Sequence, residues 1–91
     1  MEKITIEIKR KHFLNAEGFY SNYNCPLALA FQDYFNDKTG RSGHYYCIYK
    51  NENYYIPKYW NVDFVNNKIE EAQKCLKSKK KFNSVFLELT K

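Results

Sequence analysis

A chain of 91 residues carrying a formal charge of +5 is one small domain, too short to hold a second. Nine Tyr, seven Phe and one Trp make 19% of it aromatic, which excludes a disordered tail and leaves rings to build much of the core. No apolar run approaches the ~18 residues of a membrane span. The charged start MEKITIEIKRK is unlike a secretory leader, so a cytoplasmic protein is expected.

Residues Lys3 to Lys9 alternate strictly, with Ile4, Ile6 and Ile8 on one side, and predict a half-buried strand. Lys9-Arg10-Lys11-His12 leads out of it, and Asn15 to Asn24 reads as a loop rich in Asn, Gly and Ser. Pro26 suits the first position of a helix, with Cys25 just before it. Leu27, Ala30, Phe31, Tyr34 and Phe35 form one apolar helical face, which stops near Asn36-Asp37. Lys38 to Gly43 is a turn-rich connection.

His44 to Lys50 reads as a strand, with Tyr46 and Ile48 on one face and Tyr45, Cys47 and Tyr49 on the other. A tight turn at Asn51-Glu52-Asn53 leads into the return strand Tyr54-Tyr55-Ile56, ended by Pro57. Asn61 or Asp63 caps a second helix carrying Val62, Val65, Ile69 and Ala72 at helical spacing. Phe82 to Thr90 is a last strand, with Val85, Leu87 and Leu89 inward and Phe86 and Glu88 outward. The order β-α-β-β-α-β predicts an α+β domain, a ferredoxin-like plait with two helices on one face of a four-stranded antiparallel sheet.

The open face of such a sheet would present Tyr45, Tyr49, Tyr55 and Phe86, and the long loop would present Phe19, Tyr20 and Tyr23. Exposed rings of this kind stack unpaired bases or anchor a protein partner. Two basic clusters could meet phosphates: Lys9, Arg10 and Lys11, and the lysines at the end of the second helix, Lys77, Lys79, Lys80 and Lys81. The same lysines also suit a helix C-terminus, whose dipole favours cations. Only Arg10 and Arg41 are arginines, which speaks against a reader of base sequence.

Cys25 at a helix start is a candidate thiolate, with His12 or His44 as a base, but no oxyanion or third-group motif accompanies it, and a capping role is the expectation. Cys25, Cys47 and Cys75 are too far apart in sequence for a zinc motif, so reduced thiols, no metal and no cofactor are expected. The chain has no P-loop, no GxGxxG and no HExxH. These absences point away from an enzyme.

The segment Asn24-Cys25-Pro26-Leu27-Ala28-Leu29-Ala30, following the TIEIKRKHF strand, resembles small phage and mobile-element proteins. Those proteins open with a strand ending in basic residues and continue with a Cys-Pro-Leu/Ile-Ala-x-Ala helix start. The resemblance covers the first third of the chain and implies a phage origin without a fixed activity. Small phage accessory proteins include inhibitors of host defence, among them anti-CRISPR proteins, and nucleic-acid-binding regulators. The expectation is therefore a non-enzymatic protein that binds and inhibits a larger host protein or ribonucleoprotein complex, such as a nucleic-acid-guided defence nuclease. The alternative is a stand-alone RNA or single-stranded DNA binder. The charge of +5 excludes an acidic DNA mimic.

Overall fold

The computed structural model describes residues 2–43, 45–78 and 81–91. The first strand, β1, spans Lys3–Ile8, and its alternation holds: Ile6 and Ile8 are fully buried while Thr5 and Glu7 are exposed. The chain then turns at once into a short helix, α1, at Arg10–Asn15. No Ser, Thr, Asp or Asn announces this helix. The His12 ring takes that part instead, its Nδ1 accepting the Lys9 backbone N–H at 2.9 Å. The turn buries His12 and Phe13.

The second helix, α2, runs from Pro26–Phe35 as its periodicity predicts. Cys25 is its N-cap, with Sγ accepting the Ala28 N–H at 3.3 Å. Asn36 ends it in the left-handed region at φ 52°, which Asn tolerates, and the Asp37 N–H donates to the Gln32 carbonyl. A two-residue strand, β2, at Arg41–Ser42 follows within the connection that reads as turn alone. Gly40 precedes it because a Cβ there would come within 3.0 Å of the Phe31 ring.

Strands β3 (Tyr46–Tyr49) and β4 (Glu52–Tyr55) form the expected hairpin, but the turn lies at Lys50-Asn51. Both residues have positive φ, 49° and 64°, as a two-residue hairpin loop requires. This turn pairs Cys47 with Tyr54 and Tyr46 with Tyr55. Cys47 and Tyr54 are buried, so Tyr46 and Ile48 face outward and Tyr49 faces the helices. The expected outward position of Tyr49 is thereby corrected. Its ring stacks on Phe35 at 4.1 Å, and its hydroxyl donates to Asp37.

The third helix, α3, spans Val62–Ser78 and is capped by Asn61, whose Oδ1 accepts the Phe64 N–H at 2.9 Å. Among its described residues Val65, Ala72 and Cys75 are buried, and Ile69 packs at the margin of the core. The last strand, β5, at Val85–Thr90 pairs antiparallel with β1, setting Ile4, Ile6 and Ile8 opposite Leu89, Leu87 and Val85.

The architecture is α+β, with an antiparallel sheet of five strands in the order β1-β5-β4-β3-β2. The order differs from that of a plait. A plait sets the first strand inside the sheet, antiparallel to both the third and the last. Here β1 is an edge and β5 takes the inner place, antiparallel to both β1 and β4. In both arrangements the first and last strands run antiparallel and bury the same faces, but the hairpin differs: a plait's third and last strands run parallel, whereas β4 and β5 run antiparallel here. Alternation specifies which face is covered, not which neighbour a strand takes. The link between the two halves of the sheet is narrow, since β4 meets β5 only at Tyr55 and Thr90. The sheet curls, and α2 packs against both edge strands, β1 and β2. Ala28 and Ala30 are buried there, and their small side chains suit a close approach.

Two groups of rings fill the interior. Phe31 meets Phe35, Tyr49 and Tyr54 between α2 and the β3–β4 hairpin. Phe13 of α1 meets Trp60 and Phe82, and Trp60 meets Phe64 of α3. Edge-to-face and tilted packing of this kind adds ~0.5–1.5 kcal/mol per pair beyond the area buried.

Candidate binding surfaces

Two basic stretches far apart in sequence converge. Lys9 and Arg10 stand where β1 gives way to α1, and Lys81 stands just before β5. The antiparallel pairing of β1 with β5 brings the end of one beside the start of the other. Together with Phe82 and Ser84 they line a cleft of about 310 Å3, and among its described lining residues none is a carboxylate. Ser84 and Phe82 carry no basic signal, and only the strand register shows that they belong there.

The other basic candidates divide. Lys11 turns away and pairs with Asp33 at 3.2 Å. Lys77 is exposed in the last turn of α3. Lys79 and Lys80 lie outside the described residues.

The aromatic candidates divide as well. Phe86 and Tyr55 are exposed on the outer sheet face, and Tyr46 joins them, its ring 6.1 Å from that of Tyr55. Glu7, Glu88 and Lys3 share that face, and Lys3 pairs with Glu88 at 3.0 Å. Tyr45 precedes β3 and is exposed, although not as a strand residue. In the loop, Phe19 packs against the core while Tyr20 and Tyr23 are exposed, Tyr20 edge-on to Phe19 at 5.1 Å.

Cys25 sits in a setting that disfavours a thiolate. Burial pushes its thiol up, outweighing the hydrogen bond from the Ala28 N–H, and burial pushes Cys47 up to about 12. None of the three cysteines forms a disulfide, and all are buried. His12 is already engaged at both ring nitrogens. Because Nδ1 accepts from Lys9, Nε2 carries a proton and donates to Asp33 at 2.7 Å. This hydrogen bond, seconded by Lys11, holds the Asp33 carboxyl below its ordinary range. His44 lies outside the described residues.

The depression beside this pair, about 390 Å3, is lined by both Asp33 and Asp37 along with Lys11 and Lys38. Its mixed charge makes it a poorer anion site than the Lys9–Arg10–Lys81 cleft. Among the described residues, no group of three or more His, Cys, Asp or Glu side chains is placed to hold a metal ion. No described helix is long and apolar enough to cross a membrane. The chain matches no family model, no curated protein and no solved structure.

Proposed function

We propose that the chain is a non-enzymatic, phage-type accessory protein that binds a larger host ribonucleoprotein, such as a nucleic-acid-guided defence nuclease, and inhibits it by occupying its surface. The observation that carries this reading is the convergence of Lys9, Arg10 and Lys81 in a cleft whose described lining residues include no carboxylate. Three cations around one hollow suit phosphate oxygens, and a phosphate backbone is the commonest extended anion such a complex displays. The exposed rings of Phe86 and Tyr55, with the half-buried ring of Tyr46, supply anchors for a protein surface on the outer sheet face. Host cytoplasm is the compartment that fits this role.

The test is retention of a host complex on the immobilised protein, before and after nuclease treatment, with the complex's nuclease activity followed as protein is added. Stoichiometric loss of activity together with weakened retention after nuclease treatment is expected. A complex retained with its activity intact would overturn the inhibitory reading. The convergent cleft equally favours a second reading, a stand-alone RNA or single-stranded DNA binder. Tight binding of a plain oligonucleotide at physiological salt, with no host protein retained, would establish that reading instead.

A further inference from the structure

A second surface, separate from the basic cleft, has the chemistry of a base-binding groove. Around β2 and the start of β3, a depression of about 300 Å3 is lined by Asn22, Arg41, Tyr45 and Tyr46, with Ile48 at its edge. Beyond Tyr45 lies another of about 390 Å3, whose walls include Tyr20, Pro57, Lys58 and Trp60. Tyr45 belongs to both, and a small hollow between Phe19, Tyr20, Asn22 and Ser42 joins them into one path.

The charge along this path has one sign. Among the described lining residues, Arg41 and Lys58 are charged and none is a carboxylate. Tyr45 and Tyr20 are 77% and 71% exposed, while Trp60 is buried in the floor at 8%. Phe19 backs the Tyr20 ring edge-on and limits its movement. At the rim, Asn22 carries an amide able to donate to and accept from a base edge.

We infer that this groove takes the unpaired bases of a single-stranded nucleic acid. Base faces would stack on Tyr20 and Tyr45, and the flanking phosphates would meet Arg41 and Lys58. Stacking on exposed rings is tolerant of sequence, which agrees with a chain that has two arginines in all. A duplex keeps its bases stacked on one another and cannot offer them to the groove. The groove and the basic cleft are near neighbours through the core. Phe13 touches both Trp60, in the floor of the groove, and Phe82, in the wall of the cleft. The inference rests on the reading that the partner carries nucleic acid.

Trp60 is the sole tryptophan and reports on the groove directly. The probe is a fluorescein-labelled oligothymidine, with a duplex of matched length as control. The single strand should bind and quench Trp60 emission, and the duplex should not quench it. Tyr20→Ala and Tyr45→Ala change exposed side chains, and an unchanged melting temperature confirms their fold. Each should weaken binding about tenfold while leaving the salt dependence intact. Lys9→Gln with Arg10→Gln and Lys81→Gln should instead flatten the salt dependence and leave the quenching at saturation unchanged. Salt-dependent binding with no quenching, unaltered by the tyrosine substitutions, would overturn the groove while the basic-cleft reading stands. Failure of the single strand to bind even at low salt would remove the nucleic-acid reading itself, and the groove with it.

Discussion

His12 shows how one side chain joins two helices. Its Nδ1 completes the first turn of α1, and its Nε2–H reaches Asp33 on α2. Replacing it by Ala would leave the Lys9 N–H without its acceptor, at a cost of ~1–3 kcal/mol, on top of the lost packing. The Asp33 carboxyl is held below its ordinary value of 3.8, first by His12 and then by Lys11. A depressed carboxyl stabilises the fold above its unfolded-state value and ceases to do so as pH falls through the lower folded-state value. Urea midpoints of the wild type should therefore drop on acidification below about pH 4. Asp33→Asn should be less stable near neutrality and should show a shallower acid limb. An acid limb as steep as the wild type's would show that this pair is not coupled to folding.

Cys25 is the other residue whose setting decides its chemistry. Its sulfur caps α2 and burial favours the protonated thiol. Cys25→Ser keeps an acceptor at the cap and should fold with a melting temperature close to the wild type's. Cys25→Ala should cost ~0.5–2 kcal/mol. Alkylation of the native thiol at neutral pH should be slow and should speed up only on unfolding. Rapid alkylation of the folded protein would contradict the capping role.

At the scale of elements, periodic segments were the legible ones. The alternation of β1 and β5, the apolar face of α2 and the Val65–Ala72 face of α3 all match their buried faces. What local pattern lacks is information about partners. The short α1 is held by a histidine in place of a usual cap and is too short to display a period. Tyr49 reads as outward in the sequence, and the structure turns it toward the helices because the Lys50-Asn51 turn sets the register. Asn51 at φ 64° pays a smaller penalty than a β-branched residue would, so Asn51→Val should cost ~1–2 kcal/mol. Leu87 pairs with Ile6 and is fully buried on β5. Leu87→Ala should cost ~2–5 kcal/mol. An unchanged denaturation midpoint would refute the β1–β5 register and, with it, the placement of Lys81 beside Lys9 and Arg10.

For the molecule as a whole, the candidate residues were legible by type, but their grouping was not. Lys9 and Arg10 stand out in the sequence, and so does the lysine-rich end of α3. Their meeting depends on β5 returning beside β1, about seventy residues later in the chain. The outcome is a division of labour that a binding experiment can separate. The basic cleft gathers charge, whereas the outer sheet face carries Phe86, Tyr55 and Tyr46 among the compensated charges Lys3 and Glu88. A contact that neutralises phosphates releases counterions, so its affinity falls steeply with salt. A contact made by buried rings responds little to salt and is lost through faster dissociation. Lys9→Gln, Arg10→Gln and Lys81→Gln should each lower the slope of log affinity against log salt by roughly 0.7 for a single-stranded partner. Phe86→Ala and Tyr55→Ala should leave that slope unchanged and shorten the lifetime of the complex with a host protein surface, by about tenfold where the ring is a true anchor. Titrating the retained complex across a range of salt, with dissociation followed in real time, reads both effects at once. Equal slopes for these three variants and the wild type would show that the cleft meets no phosphate, and would leave the outer sheet face as the surface through which the protein acts.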